Sequence, residues 1–213
     1  TQWSSSAASD VYKRQVLATS MKVGASVCAS SGFNALKFLD LARLEKITWY
    51  SGVPTMHQAI LLRANKNKEA AKNLNLRLIR SSSASLPPAV FKDLNEAFNC
   101  PVIEAYGMTE ATHQMTSNPL PPKQQKAGFV GLPAGPEVCI MSENGDMMKQ
   151  GEEGEVCIKG KNVTLGYENN EEANKTSFTN GWFRTGDQGY FDEDGYLKIS
   201  GRLKEIILSL IHI

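Results

Sequence analysis

The chain has 213 residues, of which 41% are hydrophobic and 21% charged, and its formal net charge at pH 7 is +1. These are ordinary values for a globular protein that can bury a sizeable core. The chain therefore carries no large net positive charge of the kind that binds nucleic acid or an anionic membrane. No apolar run approaches the roughly 20 residues that span a bilayer. The cysteines make no Cys-x-x-Cys pair, so we expect buried thiols in a reducing compartment.

The two ends differ in composition from the rest of the chain. Residues 3–15, WSSSAASDVYKRQ, and the last residues, LSLIHI, resemble translated sequencing-adaptor sequence. We therefore expect non-native ends over residues 1–15 and 208–213 and exclude both from fold prediction. Residues 16–207 are then expected to be an internal fragment of a longer protein.

The first part of this stretch predicts strands that alternate with helices. Asn34 is a plausible N-cap, and Pro54 and the pair Pro87–Pro88 suit the first turns of helices. The predicted helices cover 34–46, 54–64 and 89–98, and the predicted strands 22–29, 47–50, 74–80 and 101–105. This alternation predicts parallel βαβ units.

The residue pattern changes at the polar, proline-rich connector 118–125. Short strand-like runs follow at 138–141, 155–159, 189–191 and 196–200, with a short helix at 170–178. Asn-Gly and Asp-Gly turns between the runs favour hairpins. We therefore predict an α/β fold with an α/β subdomain over 16–125 and a small antiparallel β-barrel or sandwich over 126–207.

A dense group of polar residues, 106–113 (YGMTEATH), follows the apolar strand 101–105. Open α/β sheets place their ligands at the C-terminal ends of strands, so this group is a candidate site. On residue types alone, a polar loop between two elements is an equal alternative. Elsewhere, 192–195 (DEDG) is predicted to be a hairpin turn rather than a calcium loop, His57 a structural histidine, and 185–187 (TGD) a turn.

Several motifs together resemble the adenylate-forming superfamily, which includes acyl-CoA synthetases, luciferases and peptide-synthetase adenylation domains. They occur in the order of the family and cover nearly all of residues 47–207: SSSASL (81–86), YGMTE (106–110), GFVGLP (128–133), GEVCIKGKNVTLGY (154–167), WFRTGDQGYFDEDGYL (182–197) and GRLKEII (201–207). The resemblance implies a ligase that uses ATP, Mg²⁺ and coenzyme A. A carboxylate attacks the α-phosphate of ATP, and a thiol then takes the acyl group from the acyl-adenylate.

The resemblance also implies residue roles. Thr109 would bind the α-phosphate and Glu110 would hold Mg²⁺, an ion that is commonly bound through one or two carboxylates plus phosphate oxygens. Tyr106 would lie against adenine and Asp187 would accept hydrogen bonds from the ribose hydroxyls. The remaining implied residues are the nucleotide-binding Ser83, Ala84, Ser85, Gly107, Met108 and Arg202, and the hinge Lys204.

For the acyl pocket, the resemblance points to Ser83, Ser85, Thr112 and His113. Hydroxyls and an imidazole suit a small polar acid, because a buried carboxylate needs donors. The runs RSSSASL and YGMTEATHQMTSNPLP are most like those of plant and fungal oxalate–CoA ligases. Oxalate is therefore the predicted substrate, with His113 and Ser83 or Ser85 at its distal carboxylate; a purely structural His113 is the alternative.

The phosphate-binding loop of the family and its C-terminal lysine domain have no counterpart in these 213 residues. We therefore expect weak nucleotide binding and no turnover from the chain as written. A medium-chain acyl-CoA synthetase or another adenylating enzyme is the alternative within the class, and a non-catalytic nucleotide-binding module the alternative outside it. The expected compartment is cytoplasmic or peroxisomal; the sequence does not predict an oligomeric state.

Overall fold

A computed structural model describes residues 15–30 and 32–203. They fall into two compact units. The first contains the described residues up to Ala105 together with Pro119–Gly128, and the second contains Tyr106–Asn118 and the described residues from Phe129 onward. Lys204, the predicted hinge, and the predicted non-native ends, apart from residue 15, lie outside the described residues.

The first unit is built on parallel strands. β1 (Trp49–Gly52) pairs with β2 (Leu78–Ser81), and β2 pairs with β3 (Val102–Met108). β3 begins in the first unit and ends in the second. Ile79 lies between Tyr50 and Val102 in this register, and all three side chains are buried. The predicted parallel arrangement is therefore confirmed.

Helices pack against these strands and supply much of the core. They are α1 (Phe38–Leu44), α2 (Pro54–Lys66), α3 (Lys68–Lys72) and α4 (Pro88–Phe98). Proline occupies the first turn of α2 and of α4, where the N–H that it lacks would have no partner within the helix. Ile60 and Leu94 are fully buried in the same core cluster as Ile79.

Two predictions at the start of the chain are wrong. Residues 15–22 are helical and 25–30 have no regular structure, where a strand over 22–29 was expected. Val23 and Val27, which suggested the strand, are exposed. The helix predicted from Asn34 begins only at Phe38, because the Asn34 side chain accepts the N–H groups of Leu36 and Lys37 in a preceding turn.

The second unit contains an antiparallel sheet of five strands: β6 (Glu137–Met141), β7 (Gly154–Lys159), β8 (Phe178–Thr179), β9 (Trp182–Phe191) and β10 (Leu197–Arg202). The strand order is β10-β9-β7-β6, and β8 pairs with β9. A second pair joins β4 (His113–Ser117) to β5 (Leu132–Pro133). Helix α5 (Glu171–Ser177) precedes β8.

The α/β class is confirmed, but the β-rich part is an open sheet. Within the described residues, β10 and β6 end the strand order and do not pair with each other, so the predicted barrel does not close. The long β9 carries three neighbours at different points along its length, which extends the sheet without curling it into a ring. None of the helices in the described ranges has the length and apolar character needed to cross a membrane.

His57, on α2, is fully buried in the first unit. Its Nδ1 atom lies 3.3 Å from the hydroxyl of Tyr50. Burial lowers the pKa of His57 to about 4, and hydrogen bonds with the backbone of Gly52 and Arg80 oppose that change only in part. His57 is therefore neutral in the folded protein near pH 7.

We expect the first unit to lose stability as the pH falls from about 6.5 to about 4. The pKa of histidine in an unfolded chain is about 6.5, so the unfolded state binds the proton first and is favoured by it. The loss should total about 3 kcal/mol and should disappear in His57→Gln. Hydrogen-exchange protection factors of α2 amides measure it. An equal loss in both proteins would assign the pH dependence to other groups.

Candidate active site

The polar residues 106–113, predicted as a candidate site, connect the end of β3 to the start of β4 (His113–Ser117). Tyr106, Gly107 and Met108 form the end of β3, and Thr109–Ala111 make a 3-10 turn. Thr112 (φ 52°) and His113 (φ 81°) have left-handed backbone conformations, which non-glycine residues rarely adopt. The chain reverses direction at these two residues as it enters β4.

This reversal brings two backbone segments into contact. A Cβ atom added at Gly107 would overlap the carbonyl group of His113, and it would lie 3.2 Å from the backbone nitrogen of Gln114. Only glycine allows so close an approach. Gly107 is therefore needed for the turn itself, in addition to its predicted role beside a nucleotide.

Tyr106 and Arg202 both bind the carboxylate of Asp187. The Tyr106 hydroxyl donates to Oδ2, and the Arg202 Nε atom lies 2.8 Å from Oδ1. Asp187 is 5% exposed. Burial raises the pKa of Tyr106 well above its usual value and the neighbouring Asp187 carboxylate raises it further, so the phenol stays a donor. These three predicted residues thus form one cluster within the second unit.

An irregularity in β9 places Asp187 in this cluster. Glu155 of β7 pairs with Gln188 and Cys157 with Arg184, so residues 185–187 stand opposite the single residue Val156. Gly186 has φ +75°, and Asp187 donates its N–H to the hydroxyl of Thr185. Such a bulge redirects the side chains of a strand. Asp187 therefore lies in a long strand and not in the turn that its neighbours suggested.

An ion pair between the buried Glu155 and the largely buried Arg184 supports the bulge. Glu155 Oε2 lies 2.6 Å from Arg184 Nε and 2.5 Å from Nη2. The other oxygen, Oε1, accepts the N–H of Gly186 at 2.8 Å. The side chain of Glu155 is 7% exposed and that of Arg184 17%. One carboxylate therefore fixes both Arg184 and the glycine that precedes Asp187.

Thr109 and Glu110 lie on the 3-10 turn, with Thr109 exposed and Glu110 half-buried. The Glu110 carboxylate accepts the Tyr167 hydroxyl through Oε1 at 2.9 Å. The described residues contain no group of three or more His, Cys, Asp or Glu side chains able to hold a metal by themselves. A lone carboxylate fits Mg²⁺ shared with phosphate oxygens of a substrate, the usual way in which this ion is bound.

Thr112 and His113 differ in exposure. Thr112 is exposed and donates its hydroxyl to the backbone oxygen of Asn162 at 2.9 Å, so it is engaged in holding the loop. His113 is 4% exposed. The imidazole is thus buried at the start of β4.

Ser83, Ala84 and Ser85 belong to the first unit and are exposed in the loop after β2. Ser83 has φ +71°. The loop is anchored at Leu86, whose N–H donates to the buried carboxylate of Glu104 at 3.2 Å, and Glu104 also accepts the N–H of Gly128. Burial raises the pKa of Glu104, and the two N–H donors act in the opposite direction. The binding roles of these three residues stay predictions.

Sequence reasoning missed the residues that hold the others in place: Glu104, Glu155, Asn162, Tyr167 and Arg184. All of these except Glu104 stand inside motifs that carry the family resemblance, and that position was the available indication of a role. The hydrogen bonds that define their roles join residues far apart in sequence.

A strand that ends in polar residues, with a buried carboxylate held beside its last residues, is the place at which open α/β sheets commonly bind ligands. The profile of the family described as AMP-binding enzyme matches residues 6–168. The chain therefore belongs to the AMP-binding enzyme family.

Curated relatives and solved structures agree with this assignment. The chain is 51% identical over 194 residues to an oxalate–CoA ligase of Arabidopsis thaliana, covering 90% of this chain and 38% of that protein. It is 46% identical to an oxalate–CoA ligase of Saccharomyces cerevisiae, covering 90% and 35%. The O-succinylbenzoate coenzyme A synthetase of Bacillus subtilis in complex with ATP and magnesium ion superposes with a TM-score of 0.79 at 30% identity, covering 91% and 40%. The chain thus spans 40% or less of the length of these relatives.

Proposed function

We propose that this chain is part of an ATP-dependent acid–CoA ligase whose acid is oxalate. The observation that carries the proposal is the identity of 51% and 46% to oxalate–CoA ligases from a plant and a yeast over 90% of the chain. In this reaction the acid attacks the α-phosphorus of ATP and pyrophosphate leaves. The thiol of coenzyme A then attacks the acyl carbon and AMP leaves.

Charge builds on the α-phosphate during the first step, so donors fixed in advance stabilise it. The exposed hydroxyl of Thr109 is proposed as one such donor. Glu110 is proposed to hold Mg²⁺, which neutralises phosphate charge when bound. Because Thr109 and Glu110 share one short turn, the phosphate donor and the metal ligand keep a fixed separation.

The cluster around Asp187 is proposed to bind the nucleoside. A carboxylate held in one orientation by Arg202 and by the Tyr106 hydroxyl suits the recognition of paired ribose hydroxyls. The ring of Tyr106 is proposed to lie against adenine. His113 is proposed to meet the second carboxylate of the acid, since a buried anion requires a donor.

Steady-state turnover of the whole protein with oxalate and with hexanoate tests the substrate. We expect kcat/KM for oxalate to exceed that for hexanoate by at least about 100-fold, because a buried polar site is left unpaired by an alkyl chain. Coupled detection of AMP or pyrophosphate measures both substrates in one assay. A preference for hexanoate would overturn oxalate as the substrate.

A variant at His113 separates substrate recognition from folding. Asparagine tolerates left-handed backbone conformations, so His113→Asn keeps the φ of +81° accessible. We expect this variant to raise KM for oxalate and to leave hexanoate turnover unchanged. Equal losses with both acids would assign His113 a structural role.

A further inference from the structure

Tyr167 makes a directional contact with the Glu110 carboxylate. Its hydroxyl donates to Oε1 at 2.9 Å, and its ring centroid lies 6.4 Å from that of Phe183. Tyr167 is therefore a hydrogen-bond donor to Glu110 in the folded chain.

The backbone of Tyr167 is itself fixed from two sides. The Asn174 side chain accepts the Tyr167 N–H at 2.7 Å and donates to the Tyr167 carbonyl at 2.9 Å. Asn174 lies on α5, and that helix is capped by Asn170, whose side chain accepts the N–H of Ala173. A regular element thus sets the position of the tyrosine.

Tyr167 ends a segment, residues 162–167, that also forms hydrogen bonds to the backbone of the turn that carries Glu110. The N–H of Thr164 donates to the Glu110 carbonyl at 2.7 Å. Asn162 donates to the carbonyl of Ala111 at 2.8 Å and accepts the Thr112 hydroxyl through its own carbonyl. One segment therefore positions both the backbone and the side chain of Glu110.

We propose that Tyr167 is a positioning residue that orients the Glu110 carboxylate for Mg²⁺, with Asn174 acting through it. This inference rests on the proposed role of Glu110. The hydroxyl engages Oε1 and restricts rotation of the Glu110 carboxylate, which would hold the cation when it is bound. A metal-binding carboxylate is normally oriented by a hydrogen bond of this kind, and losing such a bond typically weakens metal binding by 10–100-fold.

Binding of Mn²⁺, used as a paramagnetic substitute for Mg²⁺, tests this in the whole protein with a non-hydrolysable ATP analogue, followed by electron paramagnetic resonance. We expect Tyr167→Phe to weaken Mn²⁺ binding by about tenfold. The matched control is Tyr190→Phe, which removes a hydroxyl from the same unit where the ring faces Lys198 and not Glu110. The concentration of Mg²⁺ that half-saturates turnover should rise in parallel, while kcat at saturating Mg²⁺ is retained.

A double substitution distinguishes positioning from a general loss of structure. Asn174→Ala should weaken Mn²⁺ binding in the wild type and add nothing in a Tyr167→Phe background. If the losses in Asn174→Ala and Tyr167→Phe were additive, the proposed role of Tyr167 would be overturned. It would also be overturned if Tyr167→Phe bound Mn²⁺ normally while Glu110→Gln did not, and the proposed role of Glu110 would then stand. Wild-type Mn²⁺ binding in Glu110→Gln would overturn the proposed role of Glu110, and this inference with it.

Discussion

Gly107→Ala is expected to unfold the second unit or to leave its loop misassembled. The added Cβ would overlap the backbone carbonyl of His113, which belongs to β4 and has no flexible end to move aside. Relief requires a shift of β3 or β4, so we expect a loss of more than about 4 kcal/mol, in the range reserved for severe core damage. Hydrogen-exchange protection of β4 and β9 amides in the 213-residue chain measures the loss.

The control for this substitution is Gly195→Ala. Gly195 has φ +77°, and an added Cβ there meets no atom within 4 Å. This change introduces backbone strain alone, which costs about 1–2 kcal/mol. If both variants lost the same protection, the loss would not depend on the contact between Gly107 and His113.

The elements that the sequence predicted well are those with local causes. Proline fixes the first turn of α2 and of α4, and β6 and β7 are short apolar runs between turn residues. Each of these elements can be recognised within a window of about ten residues by its period or its turn residues. The prediction failed at residues 22–29, where a locally plausible strand has its valines exposed.

In the candidate site, too, the sequence predicted the features that depend on neighbouring residues and not those that depend on distant contacts. The polar residues at the end of β3 and directly after it could be selected from the sequence, because ligands commonly bind at the C-terminal ends of parallel strands. Asp187 was predicted in a turn, since its position inside β9 depends on pairing with β7, about 30 residues earlier. The contact of Tyr167 with Glu110 spans 57 positions. No local pattern encodes such a contact, and only the folded chain reveals it.

Glu155 illustrates how such a distant contact supports the proposed nucleotide site. Its carboxylate binds Arg184 with one oxygen and the N–H of Gly186 with the other, and Asp187 follows directly. Glu155→Ala would leave the largely buried guanidinium of Arg184, whose side chain is 17% exposed, without its carboxylate. Breaking a buried pair in this way typically costs about 3–5 kcal/mol. We therefore expect Glu155→Ala to be among the most destabilising single changes in the second unit.

Replacing both partners separates the energy of the pair from its role in positioning. In Glu155→Met with Arg184→Met, no buried charge is left uncompensated, so most of the stability lost in Glu155→Ala should return. The Gly186 N–H would still lack its acceptor, and the bulge that directs Asp187 would lose its support. We therefore expect AMP binding, measured by calorimetry in the whole protein, to stay weak in the stable double variant. Normal AMP affinity there would show that the bulge holds Asp187 without Glu155, and that the ion pair serves stability alone.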